Sequence, residues 1–557
     1  MKSIVRIVFF FTISLNAQNW DWKKTGSSYA IDGYKYLETD SQENVYVSGW
    51  EKGGVTLSDE ILVNSNVSEM VPFIAKYNSE GDIDWALSMN SDAFSTIIFS
   101  YGIPLLATDA NDRLWFSGTY NNVSIVDEEE LQPVGAENAY VSALDSSGNI
   151  VWHEYFGSTD GRMKITGLTH NDYGQTYISG WFDGNLTIGE HTAYRENRTT
   201  FIARLDVNRS VDWFHVFPNS LEGESFGGGL LIDQDQNLYI SGVFKGKCAF
   251  GESNFSETTN NEADGQYIIK FTNNGALLWC KFISEVRTSL EAKPVRDTYN
   301  NIYICAGLPS SIDFEGDFYD NNLNGGSFIL KMNSDGETIW FKQFGGEGSA
   351  TVYESKMEIG WYNRLYMVGR FPSSTKLGNY EFDIEPGLYG NYQPFFAELN
   401  TSGEVILAKH LVQYTTTVPD GDSQDGFYFF DIHTDNRGDL HIAAMYTGNI
   451  LIDGEDFKCE DNSWTEVFQG NVFIGKLSTG ELSQTEEEKA NAFLLASNVV
   501  DASAILYLEE PIRVRLLNIN GQVLRSYTFT AGEHYIETSS YSSGMYILQY
   551  ENSLGAH

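Results

Sequence analysis

Apolar and polar positions along the chain repeat one phrase. An apolar or alternating run, a polar cluster and a second run ending on a large apolar residue appear as FIAKYNSEGDIDW at Phe73–Trp85 and YVSALDSSGNIVW at Tyr140–Trp152. The phrase returns at Thr199–Trp213, Tyr267–Trp279, Phe328–Trp340 and Phe395–Leu407, and in shortened form at Phe473–Leu482. Period-two alternation predicts strands, and clusters such as Asn333-Ser334-Asp335-Gly336 supply residues that tolerate the positive φ of a tight turn. Each copy therefore predicts a β-hairpin.

A second phrase precedes each hairpin: NVYVSGW at 44–50, RLWFSGTY at 113–120, QTYISGWF at 175–182 and NLYISGVF at 237–244, then looser copies at 301–307, 364–371 and 439–446. Taking Gly49, Gly118, Gly180, Gly242, Ala306, Gly369 and Ala444 as equivalent, the spacings are 69, 62, 62, 64, 63 and 75 residues. So regular a period means stacked copies of one supersecondary unit. With a turn such as Asp109-Ala110-Asn111-Asp112 and a short apolar run before each phrase, every unit holds about four strands. Repeated four-stranded sheets are propeller blades, so seven units predict an all-β, seven-bladed β-propeller over 18–482. An open solenoid is the competing architecture, but its repeat is usually shorter and its ends need caps.

The seventh hairpin stops at Leu482 without its Trp strand, while Asp21-Trp22 near the start copies Asp84-Trp85 and Asp212-Trp213. Trp20 and Trp22 are therefore expected to close the ring, with Trp20–Lys24 beside Val472–Leu477, covering the edge of an unfinished blade. Residues 1–17 place Lys2 and Arg6 before an apolar core at Ile7–Leu15, which predicts a signal peptide cut between Ala17 and Gln18. No later run is long and apolar enough for a membrane helix. Residues 483–490, SQTEEEKA, read as a linker. Beyond them, alternating strands broken by Asn520-Gly521 and Ser543-Gly544 predict a small β-sandwich over 491–557.

Two resemblances follow. The Gly-rich connection FGGEG at 344–348, the NLYISG phrase and the FIARLD hairpin resemble the seven-bladed propeller repeats of secreted bacterial proteins. Asn208-Arg209 in place of the turn Gly, and Leu407 in place of Trp, depart from that pattern. The tail, through Asn520, Gly521, Gly532 and the Gly544-Met545-Tyr546 turn and strand, is similar to the C-terminal sorting domain of the Bacteroidetes type IX secretion system. It departs at 494–500, LLASNVV. That resemblance implies passage across the outer membrane, a secreted or cell-surface location and the type IX machinery as a partner.

Composition narrows the remaining choices. The 557 residues include 32 Tyr, 35 Phe and 12 Trp, which suits packed sheets. A net charge of −41 disfavours nucleic acid and anionic lipid. Cys248, Cys280, Cys305 and Cys459 are too few and scattered for a disulfide framework or zinc site. No zincin, nucleophile-elbow, phosphate-loop or dinucleotide motif occurs, so no catalytic residue is assigned. Asp233, Asp235 and Asn237 have the alternating spacing of a calcium loop, but its Gly and twelfth-position Glu are missing, and a hairpin turn is the favoured reading. No cofactor is expected apart from that calcium candidate. Loops outside the repeat, Gln413–Phe427 and Asn121–Asn138, are the natural ligand-binding suspects. Non-catalytic binding or adhesion, to an extracellular glycan or protein, is the expected function. A polysaccharide lyase or hydrolase at the channel mouth and a structural surface component are the alternatives.

Overall fold

The computed structural model describes residues 5–7, 20–28, 33–51, 55–57, 60–63, 71–88, 104–121, 124–126, 129–217, 223–250, 255–258, 264–286, 293–308, 311–320, 326–344, 353–360, 363–371, 374–382, 393–414, 427–447, 449–457, 471–478, 494–495, 499–500, 503–508, 512–518, 523–529, 532–537, 544–552 and 555–556. These form two compact units, Trp20–Leu477 and a unit of Met1–Asn19 with Ser478–His557. No helix is long and apolar enough to cross a membrane, among the described residues.

The large unit is all-β in a propeller arrangement. Each repeat is an antiparallel meander of four strands, as in Gly33–Thr39, Val45–Glu51, Val71–Tyr77 and Ile83–Ser88. The first strands follow one another as neighbours: Gly33–Thr39, Leu105–Thr108, Met163–His170 and Gly223–Ile232, whose Gly229 lies against Lys293 just ahead of Val295–Arg296, then Tyr353–Ile359 and Phe427–Thr434, which returns to Gly33–Thr39. Seven separate blades are not what the pairing gives. Five four-strand sets stand as blades, from repeats one, four, five, six and seven, although the end of Trp20–Ser28 in the seventh set also pairs with Val55–Leu57 of repeat one. Repeats two and three share one eight-stranded sheet. The cause is length: the fourth strand of repeat two, Ile150–Thr159, runs ten residues, and its end pairs Gly157–Thr159 with Thr187–Asn185 of the next repeat's second strand.

The strand Trp20–Ser28 lies antiparallel to Asn471–Leu477, Trp20 opposite Leu477 and Gly26 opposite Val472. It serves as the fourth strand of the set begun by Phe427–Thr434.

The hairpin tryptophans join neighbouring repeats. Trp22, Trp85, Trp213, Trp279 and Trp340 donate their indole N–H to the turn carbonyls of Ser79, Ser146, Asn273, Ser334 and Thr401 in the next repeat, at 3.0–3.1 Å. The turn glycine of each receiving hairpin lies on the indole face: a Cβ on Gly336 would come within 2.8 Å of the Trp279 ring, at a φ of 83°. Glycine is required there for conformation and for space together. Arg209 takes the glycine's place in repeat three at φ 71°, its guanidinium 4.2 Å from the Trp115 ring centre and 5.8 Å from Trp152. Leu407, which stands at the tryptophan position of repeat six, packs against the apolar core of the seventh repeat.

Alternation of strand direction sorts the connections by face. Among the described residues one face holds tight turns, whose Asp and Asn side chains accept backbone N–H groups, as Asp40 does from Gln42 and Asn44 and Asn333 from Asp335 and Glu337. Adjacent turns are bonded as well: Ser41 to Asp112 at 2.6 Å, Gln236 to Asp172 at 2.8 Å and Asn363 to Thr298 at 2.8 Å. The strand ends from which the second-to-third and repeat-to-repeat connections leave lie on the opposite face, among the described residues.

In the small unit, Val5–Ile7, Val499–Val500, Ile512–Asn518, Val523–Phe529, Gly544–Asn552 and Gly555–Ala556 form one sheet. Leu494–Leu495, Ser503–Leu508 and Gly532–Glu537 form another.

Candidate functional site

Counting back from the turn that ends each first strand exposes a layer of equivalent positions. Two residues before the turn residues Asp40, Gly360 and Asp435 stand Glu38, Glu358 and His433. Four before Asp297, Gly360 and Asp435 stand Lys293, Lys356 and Asp431. These six titratable side chains belong to consecutive repeats, five, six, seven and one. The other half of the ring offers Leu105, Ala107, Gly167, Thr169, Gly229 and Leu231 at the same positions. These positions are thus charged in repeats five, six, seven and one and small or apolar in repeats two, three and four.

Backbone irregularity helps place the charged groups. Register shifts interrupt the first strands between Tyr34 and Tyr36, Tyr353 and Lys356, and Phe429 and Asp431. Such a bulge breaks strict alternation and re-aims the residues that follow.

The contacts are specific. Nε2 of His433 lies 3.3 Å from Oε1 of Glu38. Asp431 accepts the Leu37 N–H at 3.0 Å and the Ile432 N–H at 3.0 Å. Burial raises the Glu38 carboxyl, against the opposing pull of Lys293. Burial likewise raises Glu358, to about 7, with Lys293 opposing and Asp431 and Glu38 adding to the rise. Asp431 is raised for the same reason, with Lys356 and Lys293 opposing. His433 is pushed down to about 3 by burial and by the Lys293 charge, so it is neutral at physiological pH. Burial works against the Lys293 ammonium, but Glu358, Glu38 and Asp431 outweigh it and hold the group above its usual range. Carboxylates crowded round one ammonium beside a neutral imidazole can hold and exchange protons near neutrality.

No three His, Cys, Asp or Glu side chains are grouped as a metal would require, among the described residues. Asp233 lies in a tight turn: its carboxylate accepts the Asn237 N–H at 2.8 Å and Nδ2 at 3.2 Å, and the Lys270 ammonium sits 3.1 Å away. Asp235 is 3.4 Å from Nδ2 of Asn300 in the next turn. The cation beside Asp233 is therefore the protein's own. Trp20 packs edge-on to Phe473, and Trp22 stacks on Tyr77. Gly532 opens the strand Gly532–Glu537; Gly544, Met545 and Tyr546 open Gly544–Asn552. Ala17, Gln18, Asn520, Gly521, the linker 483–490 and loop residues 415–426 lie outside the described residues. In the other suspect loop, Asn138 accepts from the N–H groups of Val134 and Gly135 and donates to the Tyr120 carbonyl. Cys280 and Cys305 are not joined in a disulfide, and Cys305 is buried among apolar side chains.

The charged arc escapes a motif search because its members are scattered from Glu38 to His433. Aligning the repeats on their turn residues would have placed Glu38, Glu358 and His433 in one column.

Comparison with known proteins bears on the tail and the fold. Residues 498–556 match the family model of the secretion system C-terminal sorting domain. The chain carries a type IX secretion sorting tail and is a secreted, cell-surface protein that engages that machinery. No curated protein matches the chain. Solved structures similar to it include the β-propeller domain of the trilobed protease from Pyrococcus furiosus, at 10% identity over 77% of this chain and 99% of that one, with a TM-score of 0.37. An ulvan lyase of polysaccharide lyase family PL25 is similar at 11% identity over 94% and 97%, TM-score 0.30. The intramolecular trans-sialidase from Ruminococcus gnavus is similar at 10% identity over 82% and 96%, TM-score 0.33. These similarities say nothing about activity.

Proposed function

We propose that this cell-surface protein is a non-catalytic binding protein whose ring presents an extracellular glycan or protein ligand to the face with the long connections. The division between faces is the observation that supports this reading. Tight turns bonded to one another close one face, while the longer stretches of sequence between strands leave from the other, and recognition surfaces are commonly built from such connections. The fused eight-stranded sheet is read here as two blades, which gives a ring of seven completed by Trp20–Ser28. Residues 1–17 are read as a leader removed between Ala17 and Gln18, and the tail as a compact β-sandwich. The test is a glycan array and a surface-extract pull-down with the full mature chain. A specific ligand whose binding is lost on shortening 415–426 or 121–137 is the expected result. No ligand in either format would refute the reading.

A second reading, a lyase or hydrolase acting in the channel, is favoured by the 3.3 Å Glu38–His433 contact and by Glu358 poised near neutrality. It requires wild-type depolymerisation of a polysaccharide that His433→Ala and Glu358→Gln abolish. No product from the wild type across acidic and neutral polysaccharides removes it.

A further inference from the structure

We infer that the loop-bearing face of repeat three carries a site for the acidic groups of a glycan, carboxylate or sulfate, built on Arg198 and Arg162. This rests on the binding reading above and names its ligand class. The second and third strands of this repeat, Thr176–Ile188 and His191–Leu205, are 13 and 15 residues long and make an extended hairpin. Phe182 pairs with Thr199 and Gly184 with Arg195, so Glu196, Asn197 and Arg198 stand opposite the single residue Asp183. Bulges of this kind recur beside binding sites because they redirect a side chain.

Here the bulge sets the Arg198 guanidinium 5.1 Å from the centre of the Trp181 ring and 5.6 Å from that of Phe226. Trp181 and Phe226 are 4% and 9% exposed and packed edge to face, so they form a shelf that orients the cation and do not themselves offer a face to a sugar. Among the described residues Arg198 has no hydrogen-bonding or ion-paired partner, which leaves its N–H donors available. Arg162 shares the shelf, 5.9 Å from the Trp181 ring. Asp183 fixes it by accepting its Nε–H at 3.1 Å, its Nη2–H at 2.7 Å and its backbone N–H at 2.8 Å. Gly161 makes this approach possible, since a Cβ there would lie 2.0 Å from the Asp183 carbonyl oxygen.

Arg162 is paired with Asp183 and also feels Glu137 and Glu224, whereas Arg198 has no carboxylate paired with it among the described residues, which makes it the cation available to a ligand on a chain of net charge −41. A planar guanidinium matches carboxylate and sulfate in two-point fashion, and stacking on aromatic rings removes much of its freedom before the ligand arrives. The negative field of the whole molecule opposes densely charged polyanions. The ligand that fits is an oligosaccharide with spaced acidic groups.

Calorimetric titration of the full mature chain with trigalacturonate, monosulfated lactose and plain lactose tests this. At least tenfold tighter binding of one acidic probe than of lactose is expected, and which probe wins identifies carboxylate or sulfate. Arg198→Gln should remove that preference and Arg198→Lys restore part of it, with the thermal midpoint unchanged in both. A folded Arg198→Gln that keeps the preference overturns the site, as does equal binding of acidic and neutral probes by the wild type, although equal binding leaves the glycan reading standing. Failure of the wild type to bind any of the three overturns the site and turns the binding reading towards a protein ligand.

Discussion

Asp297 shows how much one side chain carries in this architecture. Its carboxylate, inaccessible to solvent, accepts the N–H groups of Tyr299 and Asn301, the Asn301 side-chain amide and the Tyr303 hydroxyl, and lies 3.4 Å from the Lys331 ammonium. Burial pulls the Lys331 ammonium below its usual range, so the cation depends on its partner. Asp297→Ala would strand that charge and several donors, at a cost of about 3–5 kcal/mol. Urea unfolding of the two proteins measures it; a loss below about 1 kcal/mol would mean that water replaces the carboxylate. Glu358 makes the pH case. Burial raises its folded pKa to about 7, above the ordinary glutamate value of 4.5, so the native state binds the extra proton between these limits and stability falls as pH rises through them. The ionised form costs at most roughly 3 kcal/mol. Relative to Glu358→Gln, the wild type should lose stability between about pH 5 and pH 8, and parallel curves would show the carboxyl to be solvated. His433 acts in the opposite sense at lower pH. Its depressed folded value means that the unfolded chain binds more protons between about 3 and 6.5, so stability rises across that window.

At the scale of elements, hairpins and turns were legible because each rests on local chemistry: alternation for the strands, Asx and Gly for the corners. The pairing of Trp20–Ser28 with Asn471–Leu477 could be expected only because Asp21-Trp22 copies a phrase found elsewhere in the chain. The fusion of repeats two and three was not legible, since Gly157-Ser158-Thr159 carries no pattern that distinguishes a strand from a turn. Nor were the bulges, whose effect appears only against a partner strand. The charged arc was hidden by distance along the chain, and the Arg198 shelf by its dependence on a bulge. Trp20–Ser28 also yields a test of its own. The strand covers the edge of Asn471–Leu477, while the Trp22 indole N–H reaches the Ser79 carbonyl at 3.0 Å and its ring stacks on Tyr77. Trp22→Ala removes a large half-buried side chain and that bond together, so a loss of about 3–5 kcal/mol is expected. Hydrogen exchange should show Asn471–Leu477 losing protection before the rest of the ring. Uniform loss everywhere would mean that the first and last repeats hold together without this strand.

At the scale of the whole molecule, two units divide the labour. Trp20–Leu477 holds its own apolar cores. Residues 498–556 match a sorting domain and contribute the export address. If address and scaffold are separable, a chain ending at residue 497 should fold and accumulate inside the outer membrane in amounts near those of the full chain. Fractionation of cells, combined with added protease on intact cells, distinguishes the outcomes. The full chain should be cleaved from outside and the shortened one protected until the outer membrane is opened. Degradation of the shortened chain before it can be fractionated would show instead that the scaffold depends on the tail for its folding. Appearance of the shortened chain at the surface would place the address in the propeller. The converse construction, residues 478–557 attached to an unrelated periplasmic protein, should bring that cargo to the surface, because the sorting machinery would then be reading only this unit.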